Sequence, residues 1–384
     1  MIESRCAARL LSIVLAGPVL GSACTSDDGG TEPPTAGAIE VATSTTGSTF
    51  ELDDYVVTMD GGTSQPVEIN GTTTFTGVAA GDREVELTDV ASNCTVAGAN
   101  PRTVRVEAGG TASTRFDIEC FAVLRDQIAF SSTRTGNGDI FVMGADGSNP
   151  TNLTNFPGGQ NRQPSISPDG TRIAFNTSRD GDVEVYVINA DGSNSVNLTN
   201  NEAFDRDPAW SPDGTRIAFS SGRDGGGIHV MAADGSGVMK LTNGTGGFEP
   251  AWSPDGTKIA FNSQDVEIYV MDADGSNPVN ITNHEAFDAS PVWSPDGTRI
   301  AFRTDRDGNN EIYVMDADGS NPVNLTNNEA DDRDPAWSPD GMRIAFMTDR
   351  GGFFDIHVMD ADGSNPVNLT NCATLDRQPD WSRP

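Results

Sequence analysis

An all-β chain is predicted, a six-bladed β-propeller closed by its C-terminal strand and preceded by a small β-sandwich. Three observations predict it. From residue 122 onward the sequence repeats: five copies of Ser-Pro-Asp-Gly place their aspartates at 169, 213, 255, 296 and 340, at spacings of 44, 42, 41 and 44. Each period holds four short apolar runs separated by turn residues, the size and content of a propeller blade. The two ends complement one another: the first Ile-Ala-Phe, at Ile128, has no Pro-x-Trp-Ser run before it, and the chain finishes with Pro379, Asp380, Trp381 and Ser382, a run with no blade after it. Joined, they complete six blades, and a ring closed by both ends hides its strand edges.

In chain order, residues 1–23 read as an export signal. Arg5 and Arg9 precede the apolar run LLSIVLAGPVL, and the small residues Gly21, Ser22 and Ala23 stand before Cys24. The segment resembles the lipobox of bacterial lipoproteins, which implies that Cys24 becomes the lipidated first residue after cleavage. It departs from that pattern in one place, since Leu20 sits four residues before the cysteine and Gly21 occupies the usual leucine position. Ordinary secretory cleavage nearby is the alternative. Residues 24–35, polar and rich in Pro and Gly, suit a flexible linker. No other segment is long and apolar enough to span a bilayer.

Residues 36–121 carry short alternating runs such as IEVATST, YVVTMDG, TTTFTGV and REVELTDV, broken by turn residues and without a helical period. This is the pattern of a β-sandwich. It resembles the immunoglobulin-like or carboxypeptidase-regulatory-like modules of bacterial surface proteins, which implies a spacer or interaction role. Of the five cysteines, Cys6 lies in the signal and Cys24 at its end. In an oxidising compartment, Cys94 and Cys120 are expected to form a disulfide inside this domain, leaving Cys372 as a buried free thiol.

The formal net charge is −32 and the pI near 4.1, which disfavours nucleic acid and anionic membrane surfaces as partners. Three Asp-x-Asp-Gly runs, beginning at Asp272, Asp316 and Asp360, could open calcium loops, but a helix-loop-helix calcium site would need Gly at loop position 6 and Glu at 12. Counting from Asp316, position 4 is Gly319 and position 12 is Asn327, so the match fails. Asp-Gly between EIYVM and PVNLT is instead a hairpin signal. Calcium in the channel or at the acidic loops stays open on these residues, and no cofactor is expected.

Six Ile-Ala-Phe runs begin at 128, 173, 217, 259, 300 and 344, and six Leu/Ile-Thr-Asn runs at 153, 198, 241, 281, 325 and 369. With Trp210, Trp252, Trp293, Trp337 and Trp381 at one position of the period, they assign residues 122–384 to the propeller and the tryptophans to its core. The unit SPDGTRIAFRTDRDGNNEIYVMDADGSNPVNLT resembles the WD40-like (PD40) repeat of the six-bladed propeller in TolB, a periplasmic Tol-Pal component, and in tricorn-type proteases. That resemblance covers only the propeller. TolB's preceding domain is mixed α/β, where a β-sandwich is read here, and a lipid anchor is outside the TolB pattern.

In a four-stranded meander the Ser-Pro-Asp-Gly and Ala-Asp-Gly turns share one face of the disc, and these barely change from blade to blade. The loops on the other face vary, so a partner would be told apart there. Just before each Pro-x-Trp strand stand Arg162-Gln163, Arg206-Asp207, Phe248-Glu249, Ala289-Ser290, Arg333-Asp334 and Arg377-Gln378. They predict a lopsided channel mouth, with an arc of arginines on neighbouring blades and a gap lined by Phe248, Glu249 and Ser290. Such a mouth suits an extended peptide or a carboxylate-bearing ligand, with Arg as bidentate donor. The competing reading is that each arginine ties loops together through an acid of its own or the next blade. A second set, Arg134, Arg179, Arg223, Arg306 and Arg350 with Asp139, Glu184, Glu267, Glu311 and Asp355, is expected to form cross-strand ion pairs inside the hairpin of the second and third strands.

Catalysis finds little support. There is no Gly-x-Ser-x-Gly and no hydrolase domain after the propeller, and of the three histidines, His229, His284 and His357, two replace a packing tyrosine. Propeller lyases that resemble TolB gather several histidines round a metal, and that cluster is missing from this sequence. The expectation is a monomeric, non-enzymatic scaffold, periplasmic or on the cell surface, lipid-anchored through Cys24 and binding an envelope protein or peptide. The alternative is a propeller that binds or cleaves polysaccharide.

Overall fold

A computed structural model describes residues 36–47, 54–91, 93–156, 158–242 and 246–382. The signal, the linker and Cys24 lie outside the described residues. No helix among the described residues is long and apolar enough to cross a membrane.

The first eight strands form two four-stranded sheets. In one, Ala36–Gly47 runs parallel to Thr111–Cys120 and antiparallel to Thr72–Ala79. In the other, Tyr55–Met59 lies between Thr63–Val67 and Gly81–Thr88. Period-two alternation turns Ile39, Val41, Phe75, Phe116 and Ile118 of the first sheet onto Val57, Val85, Leu87 and Val104 of the second, giving one shared core. A disulfide joins Cys94 to Cys120, directly opposite one another in the first sheet.

Six more four-stranded sheets follow. Blade 2 has its inner strand at Asn161–Ile166, blade 3 at Asp205–Trp210, blade 4 at Phe248–Trp252, blade 5 at Asp288–Trp293 and blade 6 at Asp332–Trp337. Blade 1 takes its three outer strands from Gln127–Ser132, Asp139–Gly144 and Thr151–Asn152, and its inner strand from Asp376–Trp381. Trp381 pairs with Ile128 and Asp376 with Ser132. Each inner strand touches the next in a cycle that returns from blade 1 to blade 2.

The Ile-Ala-Phe run explains why such sheets stack. Ile and Phe point to one face and Ala to the other, so each blade offers bulk to one neighbour and a shallow seat to the next. Ala174, Val185 and Val187 of blade 2 thus receive Trp210, Ile217 and Phe219 of blade 3, and the other junctions repeat the arrangement, with Ile166 in the place of the tryptophan between blades 1 and 2. The phenylalanines of all six Ile-Ala-Phe runs, Phe130, Phe175, Phe219, Phe261, Phe302 and Phe346, are fully buried. The turn aspartates are scaffold. Asp213 accepts hydrogen bonds from Ser211 Oγ (2.6 Å) and from the N–H and hydroxyl of Thr215 (3.0 and 2.9 Å), which hold its carboxyl down to about 2. At Gly147, with φ +82°, a Cβ would meet the Leu369 carbonyl oxygen of blade 6 at 2.8 Å, so the Ala-Asp-Gly turn requires glycine for conformation and for the approach of the neighbouring blade.

The hairpin ion pairs expected from the sequence are not those the fold makes. Arg134, Arg223, Arg306 and Arg350 reach instead to the first residue of their own blade's inner strand, Asp376 (2.8 Å), Asp205 (2.5 Å), Asp288 (3.0 Å) and Asp332 (2.8 Å). Arg179 meets Asn161 at the same place, at 3.2 Å. The physical reason is competition for donors. Glu267 already accepts from Thr282 Oγ1 (2.5 Å) and the N–H of His284 (3.0 Å), and Asp355 from Thr370 Oγ1 and the N–H of Cys372 (both 3.2 Å). The inner-strand aspartates have no exposed surface, so they are where a cation is most needed. Each arginine crosses the buried phenylalanine of its blade on the way, 5.2 Å for Arg134 over Phe130 and 5.3 Å for Arg350 over Phe346.

Candidate functional site

The six inner strands enclose a central cavity of about 410 Å³, lined from every blade. Each inner strand bulges at one point, where two residues oppose one on the partner strand, for instance between Arg162 and Ser165 and between Arg377 and Asp380. The second member of each bulge is a proline, Pro164 to Pro379, tolerated because the inner strand is a sheet edge whose N–H is not needed there. The first member is left-handed in all six blades: Gln163, Asp207, Glu249, Ser290, Asp334 and Gln378 have φ between 50° and 56°. A non-glycine residue at positive φ before proline is strained, and the six stand at one level of the ring.

That backbone turns six polar side chains into the channel, where they link the blades. The Gln378 side chain accepts from the N–H of Gln163 (3.1 Å), Gln163 donates to Asp207, and Asp207 accepts from the N–H of Glu249 (3.3 Å) and Ser220 Oγ (2.7 Å). Glu249 Oε2 accepts from the N–H (2.8 Å) and hydroxyl (3.1 Å) of Ser290, whose hydroxyl also meets Asp334 at 3.1 Å.

Three carboxylates in one enclosed ring repel. Burial, then the charges of Asp207 and Asp334, push Glu249 up to about 7 against the pull of the Arg303 guanidinium. Burial likewise raises Asp207 against Arg206. Because the folded Glu249 keeps a proton that the unfolded chain releases near pH 4.5, its contribution to stability declines as pH rises from about 4.5 through about 7. Glu249→Gln preserves the acceptor for Ser290 and cannot ionise. Its thermal midpoint should exceed wild type at pH 8 by about 2–6 °C, on the order of 1–2 kcal/mol in a domain of this size, with the difference narrowing at pH 5. An equal shift at both values would place the effect elsewhere.

Above the ring, the predicted arginines take different partners. Arg333 pairs with Asp331 at 2.7 Å, and Arg206 lies 3.6 Å from Asp207 and 5.0 Å over the Phe248 ring. Arg162 donates to Gln160. Arg377, half-buried, lies 5.6 Å over Phe354 beside Arg333, and no carboxylate is within ion-pair distance of it among the described residues. Burial and the neighbouring Arg162 hold its guanidinium below the usual range. The loops thus use part of the arc as ties and leave part of it facing solvent. A cavity of about 390 Å³ opens between Arg162, Arg206 and the exposed Phe204, and one of about 310 Å³ between Arg206, Phe248, Glu249 and Phe287.

Sequence reasoning missed Arg303. It comes from the second strand of blade 5, where other blades place Asn176, Ser220 or Asn262, and it stacks 4.7 Å over Phe287. The side expected to be a gap without arginine therefore has one. The signal was IAFRT among IAFNT, IAFSS and IAFMT, readable only once that position is known to face the mouth.

A model described as the TolB beta propeller domain (PD40) matches residues 125–264 and 246–384. The chain belongs to the TolB propeller family. Solved structures similar to this TolB-type propeller include TolB from Acinetobacter baumannii, at 22% identity over 68% of this chain and 68% of that one, TM-score 0.62. Putative TolB from Agrobacterium tumefaciens aligns at 24% identity over 66% and 90% of the two chains, TM-score 0.54. Kuenenia stuttgartiensis hydrazine synthase, at 16% identity, covers 67% of this chain and 46% of that one, TM-score 0.58. Likeness at this level establishes the TolB-type fold and carries no function with it. No curated protein matches the chain.

Cys372 also groups with Asp355 and Asp376. Its thiol donates to Asp376 (3.1 Å), in the place where the amides of Asn201 and Asn328 donate to Asp205 and Asp332. The cluster is the blade-junction clamp of this TolB-type ring with sulfur in place of an amide, and burial pushes the thiol up, away from a reactive thiolate. His229 and His357 are buried beside Phe219 and Phe346, each at 5.8 Å between centroids, in the position that Tyr186 takes in blade 2.

Proposed function

We propose that this protein is a non-catalytic interaction scaffold of the bacterial cell envelope, which binds an extended, acidic segment of a partner polypeptide at the varied-loop mouth of the propeller. One observation carries the reading: Arg162 and Arg377 have no carboxylate within ion-pair distance among the described residues, and Arg206 meets Asp207 only through Nε at 3.6 Å, above a strained polar ring, in a chain where 56 acids face 24 basic residues. In so acidic a protein, arginines left this way suit an external carboxylate, which they would bind through charge-assisted hydrogen bonds. The export signal and Cys24 support placement in the periplasm or at the cell surface through a lipid anchor.

The test is affinity capture from envelope extract with the form lacking residues 1–35, followed by titration of the captured protein. Arg206→Ala/Arg377→Ala should bind it at least about tenfold more weakly, two charged hydrogen-bonding groups being worth about 1.4 kcal/mol or more. Affinity should fall with salt. Unchanged affinity, or retention of polysaccharide alone, would sink this reading.

A further inference from the structure

Because the blades repeat one unit, each serves as a control for the others, and blade 2 departs from blade 6 at the mouth. In blade 6, Arg333 is paired at 2.7 Å with Asp331, two residues before it, and Asp349 accepts from the N–H of Asp331 at 2.9 Å. Blade 2 makes both contacts with uncharged groups. Arg162 donates to the side-chain amide of Gln160, and the hydroxyl of Ser178 accepts from the N–H of Gln160 at 3.2 Å. The contacts are kept while two carboxylates are gone, so the charge of Arg162 is left unanswered. Blade 3 lacks the same two acids: Phe204 stands two residues before Arg206, and Gly222 takes the place of Asp349.

Arg162 and Arg206 flank the cavity of about 390 Å³ at the junction of blades 2 and 3, and no carboxylate lines it. Its wall includes Asn176, 6% exposed, whose Oδ1 has no hydrogen-bond partner among the described residues. A buried amide left unpaired is costly, and a ligand that pairs with it recovers that cost. Phe204, 63% exposed, and Val183 give the cavity an apolar side. In a chain of net charge −32, two cations, an unspent amide and an apolar wall meet in one cup.

We propose that this cavity binds the C-terminal residue of a partner polypeptide. Arg162 and Arg206 take its α-carboxylate, Asn176 pairs with its backbone amide, and its side chain lies against Phe204 and Val183. The inference rests on the reading of the mouth as a peptide site and narrows that site to a chain end. A terminal residue carries a backbone N–H beside its carboxylate, so one ligand answers both the arginines and Asn176, whose amide turns on a soft torsion to meet it. An aspartate or glutamate inside a passing segment presents its carboxylate on a hydrocarbon stem and would leave Asn176 unpaired.

The experiment titrates the soluble protein, without residues 1–35, with N-acetyl-Ala-Ala-Leu as the free acid, the same peptide as its C-terminal amide, N-acetyl-Ala-Glu-Leu amide, and glucuronate, following backbone amide signals by NMR. Saturable binding of the free acid is expected, with the amide at least about tenfold weaker and the internal glutamate and the sugar acid at least about fivefold weaker. Gln160→Asp restores the acid that blade 6 carries as Asp331, so it should weaken the free acid about tenfold or more while the thermal midpoint stays within about 2 °C. Asn176→Ser, the residue blade 3 carries as Ser220, should weaken it about fivefold. Absence of saturable binding of the free acid at millimolar concentration, equal affinity for any of the other three probes, or unchanged affinity in either variant would each overturn the proposal. An envelope partner whose affinity survives a Gly-Ser-Gly extension of its C-terminus would overturn it too, and leave the scaffold reading standing. Failure to capture any envelope protein, with the free acid still bound as expected, would remove that reading and keep this site.

Discussion

Ending the chain after Leu375 is expected to abolish the cooperative unfolding of the propeller. The lost strand, Asp376–Trp381, supplies the inner strand of blade 1 and pairs with Gln127–Ser132 along its length. Its removal strips Trp381 from the core that Ile128 and Phe130 share with Ala345, Met347 and Ile356, and takes Asp376 from Arg134. Losing a buried tryptophan alone costs about 3–5 kcal/mol, and a whole strand with its ladder approaches the 5–15 kcal/mol that holds an ordinary domain together. The opened edge is also a template for pairing with another chain. Calorimetry and size-exclusion chromatography should show a lost or much broadened transition and aggregation. A truncated chain that melts within a few degrees of the parent would mean that the ring does not depend on closure.

The second large effect is expected from Asp332→Ala. Asp332 has no exposed surface, and it accepts from Arg350 Nη2 at 2.8 Å and Asn328 Nδ2 at 2.6 Å, tying the hairpin of blade 6 and the loop from blade 5 to one inner strand. Deleting the carboxylate leaves the guanidinium over Phe346 with its partner gone, the costly way to break a buried pair, at about 3–5 kcal/mol. In a propeller of this size that lowers the thermal midpoint by about 6–20 °C. Asp332→Ala/Arg350→Met should recover much of the loss, because removing both charges leaves none stranded. A single mutant within about 1 kcal/mol of wild type, or a double mutant no better than the single, would contradict this account.

These expectations draw on two levels of information. The ring was legible in the sequence because a repeat reports each structural position several times over: Ile-Ala-Phe, the tryptophans and the Asp-Gly turns recur in register, and alternation fixes which residues share a face. Even closure could be read, since the unmatched runs at Ile128 and Trp381 need one another.

The chemistry of the mouth was legible only as a list of residues. That Gln163, Asp207, Glu249, Ser290, Asp334 and Gln378 turn into the channel depends on a left-handed bulge before proline, a conformation no residue in that set favours by itself. Whether Arg350 pairs with Asp355 in its own hairpin or with Asp332 depends on which acid the fold leaves buried without enough donors. Whether the Lys258 ammonium stacks on an indole, as the arginines at its position do in blades 2, 3, 5 and 6, or meets Asp272 depends on how a hydrated ammonium weighs stacking against a nearby carboxylate. Periodicity and turn residues act through neighbours along the chain, so the sequence by itself determined the blades, their number and their joining. Ion-pair partners and side-chain direction at a bulge were decided by the tertiary structure, because they follow from competition for donors, acceptors and apolar surface among groups that only the closed ring brings together.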